Sequence, residues 1–288
     1  MTAEREAHDD EAPDLARQLV LDGAEPPAPL RALADRLLPG AAVRPLWRND
    51  LGGWTVRLEP DRGEALVLKW VPGATLAAWP DEPSPADEAE RLAWIAGRHP
   101  APELVGVGTS DDGDEHLLTR ALPAESAVAE RWRAEPETAV RVLGESLRLL
   151  HDSLSVTECP FACAAPLGPR LPGDPEPRDA DRVVAHGDAC APNTLLDARG
   201  RFAAHVDLGS LGVGDRWLDL AAGAQSLAWN YGPGWGGTYF ASYGVELDDE
   251  RMASWRRRWN HDSPRPARPE RSPAATRAQA PCRRRAAL

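Results

Sequence analysis

Between Val183 and Asp207 the chain reads VVAHGDACAPNTLLDARGRFAAHVD, and this stretch restricts the fold more than any other. A strand-like apolar run enters a loop, and the loop leads into a strand, a Gly-containing turn and a second strand, read as ending on Asp207. Within the loop Asp188 precedes Asn193 by five positions. In a phosphoryl-transfer loop that spacing sets a carboxylate against the attacking hydroxyl and an amide oxygen on a magnesium ion. A carboxylate at a strand end facing the same loop suits Mg²⁺ bridging the β- and γ-phosphates, because hard cations take oxygen ligands. Taken singly, each residue has a plainer reading: Asp188 as a turn residue, Asn193 as a cap, Asp207 as the end of an ordinary hairpin.

The same chemistry calls for a cation on the phosphates. The segment ALVLKW, Ala65 to Trp70, holds the only lysine in a chain with thirty-two arginines. A compact ammonium can contact the α- and β-phosphates while pairing with a helix carboxylate, a task that the planar fork of arginine fits less well. Lys69 lies in the second of two β-like runs, WTVRLE and ALVLKW, whose PDRG connection marks a hairpin. The following PADEAERLAWIAG reads as a helix, with Ala86, Ala89, Leu92, Ala93 and Ile95 at helical spacing and Gly97 to end it. A Gly-containing hairpin, a strand lysine, a helix glutamate and the Asp-Asn-Asp set thus occur in one order along the chain.

Two more strands are read in ELVGVGTSDDGDEHLLTRAL, around an Asp/Gly turn. An amphipathic helix follows in PETAVRVLGESLRLLHDSL, where Val140, Val142, Leu143, Leu147, Leu149 and Leu150 form the apolar stripe and a helical lobe begins. Residues 160–181, rich in Pro, Gly and charge, are read as loop. The first 26 or so residues are acidic and poor in large apolar groups, apart from a possible short helix near Leu15 to Leu21.

Charge separates the chain into unlike parts. The formal net charge is -12, yet His261 to Leu288 carries seven arginines against Asp262 and Glu270, so the tail is +5 and the rest -17. An acidic body argues against generic nucleic-acid binding and fits cationic partners. The tail has no apolar periodicity and is read as low-complexity. The start has no signal-peptide pattern and no run of about 18 apolar residues occurs, which reads as cytoplasmic with no membrane partner. Four cysteines make neither a disulfide framework nor paired Cys-x-x-Cys zinc knuckles. Nothing in the sequence fixes the oligomeric state.

In RNDLGGWTVRL, LVLKW, EAERLAWIAG, LLTRALP, LHDSLSVTECPF, HGDACAPNTLLD and VDLGSLGVGDRWLDLA the chain resembles the aminoglycoside phosphotransferase family, most of all the aminoglycoside 3'-phosphotransferases. The resemblance spans about residues 44–260 and implies an α+β, protein-kinase-like fold of two lobes. One is a small N-terminal antiparallel sheet with one helix, and the other is larger and mainly helical. It divides the chain into a disordered N-terminus (1–28), a nucleotide-binding lobe (29–121), a catalytic and substrate lobe (122–260) and a basic tail (261–288).

The implied activity is a kinase that passes the γ-phosphate of ATP (or GTP), with Mg²⁺, to a hydroxyl of an aminoglycoside, the 3'-hydroxyl first, conferring antibiotic resistance. Carried over by motif, Asp188 is the catalytic aspartate, Asn193 and Asp207 are the Mg²⁺ ligands, and Lys69 is the phosphate-binding lysine. Glu88 is its ion-pair partner, with Glu90 as the competing choice. Gly52, Gly53 and Thr55 belong to the loop over the phosphates, Ala121 to the hinge beside adenine, and His186 and Asp219 brace the catalytic loop. Where the family inserts helices with acidic contacts to the antibiotic, this chain has the Pro-rich 160–181 segment, and where many relatives carry an arginine it has Ser210. The alternatives are therefore a kinase of another small-molecule hydroxyl, or a nucleotide-binding homologue without turnover.

Overall fold

A computed structural model describes residues 25–49, 51–165 and 169–259. The sequence-based readings for residues 1–24 and 260–288, including the short helix near Leu15, lie outside the described residues.

The first lobe is built on an antiparallel sheet of β1 (Ala42–Arg48), β2 (Trp54–Glu59), β3 (Leu66–Val71), β4 (Leu104–Thr109) and β5 (Glu115–Arg120), in the order β1-β2-β3-β5-β4. Alternation makes this sheet: in β2, Trp54, Val56 and Leu58 are buried while the residues between them are not. A helix not anticipated from the sequence, α1 (Ala28–Leu37), covers that face with Leu30, Leu33 and Ala34. Each of the two leucines contributes roughly 1.5–3 kcal/mol by leaving water, and the alanine methyl less. Strand β1 was likewise not anticipated; its Pro45 sits where the pairing with β2 slips, the position at which a strand tolerates a missing N–H.

After β3 come a short helix, α2 (Gly73–Ala78), and then α3 (Pro85–Ile95). The latter starts as the sequence predicts. Ser84 accepts the Asp87 N–H, the Asp87 carboxylate accepts the Ser84 N–H, and Pro85 fills the first turn, where its lost N–H costs nothing.

The second lobe contains β6 (Ala124–Ser126), α4 (Glu130–Ala134), α5 (Pro136–Ser153), β7 (Arg182–Ala185), β8 (Thr194–Asp197), β9 (Phe202–His205), β10 (Gly212–Asp215), α6 (Arg216–Tyr231), α7 (Gly236–Tyr243) and α8 (Asp249–Trp259). Two small sheets, β7 with β10 and β6-β8-β9, lie on a helical core that includes Leu143, Leu147, Leu150, Trp217, Leu220 and Tyr239. The fold is the α+β, protein-kinase-like architecture expected. No helix among the described residues is long and apolar enough to cross a membrane.

Two local readings are corrected. Strand β9 stops at His205, and Asp207 stands beyond it in the left-handed region (φ 58°, ψ 51°), opening a one-turn helix at Leu208–Ser210. The 160–181 segment is not all loop. Residues 161–164 run beside β10, the Val213 N–H donating to the Phe161 carbonyl and Cys163 N–H to the Val213 carbonyl, and Asp179–Asp181 make one helical turn.

Candidate active site

The two strands that Asn193 and Asp207 flank are pinned by backbone bonds. Thr194 pairs with His205 across β8 and β9, and the Val206 N–H donates to the Asn193 carbonyl at 2.9 Å. Asn193 and Asp207 therefore emerge side by side at the open end of one hairpin. The Asn193 amide nitrogen donates to the Asp188 carbonyl at 2.9 Å, which leaves Oδ1 as the side chain's other polar atom. Asp207 is the one non-glycine residue with positive φ among the described residues, a conformation that aspartate tolerates better than most.

Lys69 brings the other lobe to this point. Its Nζ donates to Glu88 Oε2 at 2.6 Å and to Asp207 Oδ1 at 2.6 Å. Burial works against the ammonium charge, but the charges of Asp207 and Glu88 and their hydrogen bonds outweigh it and hold Lys69 above the usual lysine range. Glu88 is buried and its Oε1 accepts the Leu208 N–H at 3.1 Å, so one carboxylate joins β3, α3 and the turn after Asp207. Glu90 is exposed on another face of α3, which decides between the two glutamates.

Asp188 is held from behind by a buried carboxylate. On α6, Asp219 is fully buried; its Oδ1 accepts the Gly187 N–H at 2.9 Å and its Oδ2 the His186 N–H at 2.6 Å. Oδ2 also accepts from His151 Nε2 at 3.0 Å, and His151 Nδ1 meets the Tyr243 hydroxyl at 2.7 Å. His186 Nε2 donates to the Val206 carbonyl at 3.1 Å, and its Nδ1 accepts the Asp188 N–H at 3.3 Å. Those partners require the neutral ring with its proton on Nε2. A single imidazole thus ties the residue before Asp207 to Asp188. The bracing residues His151 and Tyr243 were missed in the sequence; the available signal was a histidine on the apolar face of α5.

The glycine turn between β1 and β2 is organised by Asn49, whose Oδ1 accepts the N–H groups of Leu51 at 3.1 Å and Gly53 at 2.7 Å. Gly52 has φ 92°, which favours glycine, and a Cβ on Gly53 would stand 2.8 Å from the Asn49 amide nitrogen and so displace the side chain that organises the turn. Thr55 lies directly across from Lys69 in the β2–β3 register. At the other edge of the lobe the Ala121 N–H donates to the Ala65 carbonyl at 3.0 Å, extending the ladder. That N–H is committed to the sheet, and the Ala121 carbonyl is the backbone group left for a ligand at this residue.

The structure thus gathers Lys69, Glu88, Asn193 and Asp207 with Asp188 at the lobe junction, and places Gly52, Gly53, Thr55 and Ala121 along the sheet lobe. A family model described as a phosphotransferase enzyme family (APH) matches residues 28–256. The chain is 32% identical over 205 residues to an aminoglycoside 3'-phosphotransferase of Streptomyces ribosidificus, covering 58% of this chain and 76% of that protein. It is 28% identical over 196 residues to the one from Niallia circulans, covering 57% and 74%. Among solved structures, an aminoglycoside-3'-phosphotransferase of type VIII superposes with a TM-score of 0.62 at 26% identity, over 79% of this chain and 95% of that one. With a match running from α1 through most of α8, the chain belongs to the phosphotransferase enzyme family.

Proposed function

We propose that this chain is an ATP-dependent kinase that phosphorylates a hydroxyl of an aminoglycoside antibiotic, the 3'-hydroxyl first, and so confers resistance. The observation that carries the reading is the convergence of Lys69 and Glu88 from the first lobe with Asp207, Asn193 and Asp188 from the second. The similar 3'-phosphotransferases support the acceptor class.

In this reading the acceptor oxygen attacks the γ-phosphorus, the bond to the β–γ bridging oxygen breaks with its electron pair leaving on ADP, and the hydroxyl proton passes to the Asp188 carboxylate. Little covalent work falls to the protein; its contribution is position and charge. Lys69 would hold the α- and β-phosphate oxygens, Glu88 fixes its direction, and the glycine turn at Gly52 and Gly53 would let the backbone approach the phosphates. The Ala121 carbonyl would be the backbone acceptor for the adenine amine. The donor set fits magnesium: Asn193 Oδ1 and the Asp207 carboxylate are hard oxygen ligands, and Mg²⁺ typically takes one or two protein carboxylates with substrate phosphates and water. When bound, the ion supplies charge stabilisation on the transferred phosphoryl group.

A second reading, phosphorylation of a different small-molecule hydroxyl, is favoured by one observation. The cavity between residues 170–177 and α8 is lined by Arg170, Arg251 and Arg258 with Asp215 as its carboxylate, a lining unlike that suited to a polycation. ADP release by purified protein with ATP and Mg²⁺, across kanamycin- and neomycin-like compounds and with Asp188→Asn as control, separates the readings. Antibiotic-dependent turnover lost in Asp188→Asn supports the first. Turnover absent with every aminoglycoside but present with another hydroxyl acceptor supports the second.

A further inference from the structure

Arg91 is a charged residue buried at 8% exposure on the inward face of α3, about one turn beyond Glu88 and on the same face. Its guanidinium is used in three directions. Nε donates to the Leu211 carbonyl at 3.0 Å, four residues past Asp207. Nη1 donates to the Asp87 carbonyl at 2.9 Å in its own helix. The flat face lies over the Phe161 ring, 4.8 Å from its centroid, and Trp94 from the same helix meets that ring edge-on at 6.1 Å. Phe161 opens the strap that lies along β10: its carbonyl accepts the Val213 N–H at 2.8 Å, and the Ala164 N–H donates to the Ser210 carbonyl at 3.1 Å. Gly212 permits that approach, since a Cβ there would collide with the Ala162 backbone.

We propose that Arg91 is a positioning residue that couples the Lys69–Glu88 pair to the 161–164 strap, so that seating a nucleotide on one fixes the other. This rests on the reading of the site given above. The coupling follows from connectivity. Glu88 and Arg91 are rigidly related by one helical turn, Glu88 holds both Lys69 and the Leu208 N–H, and Arg91 holds Leu211 and Phe161. A shift of α3 that breaks the contact with Lys69 also draws the guanidinium from Leu211 and from the ring. The strap leads to residues 169–177 beside α8, the region where relatives are expected to contact the acceptor. Arginine suits the junction because one planar group can hydrogen-bond in its plane and stack across it, which lysine cannot do.

The test is amide hydrogen exchange in peptides covering residues 159–165 and 210–215, with and without Mg²⁺ and ADP, in the wild type, Arg91→Met, Arg91→Lys and Phe161→Leu. In the wild type nucleotide slows exchange in both peptides by about tenfold, within the usual range of coupling between sites. In Arg91→Met and Arg91→Lys nucleotide still binds but the slowing falls to less than about twofold, and Phe161→Leu reproduces this from the other side. A merely structural arginine would change exchange with and without nucleotide alike. Equal slowing in wild type and variants, or a wild-type strap indifferent to bound nucleotide, overturns the proposal while leaving the kinase reading standing. A wild type that binds no nucleotide overturns both. Should Arg91→Met fail to fold, Phe161→Leu alone decides.

Discussion

Lys69 Nζ stands 2.6 Å from Asp207 Oδ1 and 2.6 Å from Glu88 Oε2, so one ammonium neutralises carboxylates from both lobes. Glu88 is the buried member of the pair, and removing its cation leaves a carboxylate with only the Leu208 N–H. Lys69→Met is therefore expected to lower stability by about 3 kcal/mol, at the lower end for a broken buried pair, read as the urea midpoint at unchanged slope. Lys69→Arg keeps the charge and most of the stability, but its fork cannot place a point charge between two oxygens and kcat should fall at least about tenfold. The pH sign follows from the raised pKa. The folded state holds this proton more tightly, so the stabilisation is complete below the unfolded lysine value and is lost as pH rises through the folded one.

Gly187 carries φ 81° between His186 and Asp188, and a Cβ there would lie 2.6 Å from both the Cβ and the carbonyl oxygen of Ser210. Gly187→Ala must therefore push the His186–Asp188 loop off the turn that follows Asp207. The expectation is a loss of at least about 2 kcal/mol in thermal unfolding, from the strained backbone plus the clash, with kcat reduced more than the nucleotide KM.

Much of this site is legible in the sequence because it is encoded locally. The five-residue step from Asp188 to Asn193 and the helical spacing around Ala89 and Leu92 are patterns within single elements. What was missed depends on partners distant in sequence. Helix α1 is amphipathic toward a sheet formed later in the chain, and Arg91 lies among polar residues and becomes buried only because Phe161 and Leu211 come to it. The left-handed turn at Asp207 has no composition signal either, since aspartate is common in ordinary turns. Glu88 and Glu90 differ only in which face of α3 meets β3, a tertiary choice.

Asp219 accepts the backbone N–H groups of His186 and Gly187 and a bond from the His151 ring, all in a fully buried setting. Asp219→Asn preserves shape but must turn an NH₂ toward at least one of those donors. The replacement is expected to cost about 2–4 kcal/mol and to reduce kcat while changing nucleotide affinity little, because Lys69 and Glu88 are held elsewhere. Tyr243→Phe removes one hydrogen bond at the far end of the network and should cost only about 1 kcal/mol. Equal effects in the two variants would show that the network does not converge on Asp219.

His99 and His205 form a buried, stacked pair with Nε2 and Nδ1 2.9 Å apart. Ser153 gives its hydroxyl proton to the Leu150 carbonyl and so accepts from His99 Nδ1 at 3.2 Å. In the neutral pair, His99 Nε2 then accepts from His205 Nδ1. Burial is the main cause that lowers the His99 pKa to about 4 and holds His205 well below its ordinary value. The unfolded chain takes up these protons near the ordinary histidine value while the folded chain resists. Stability is therefore complete above about pH 6.5 and falls as pH drops from there toward about 4, by roughly 3 kcal/mol for His99 as an upper figure. Urea unfolding at pH 8, 6 and 5 checks this, with His99→Asn as the comparison. Asparagine retains a donor near Nδ1 without a titrating ring, so the variant begins less stable at pH 8 yet loses less on acidification. An identical acid slope in wild type and His99→Asn would assign that slope to other groups.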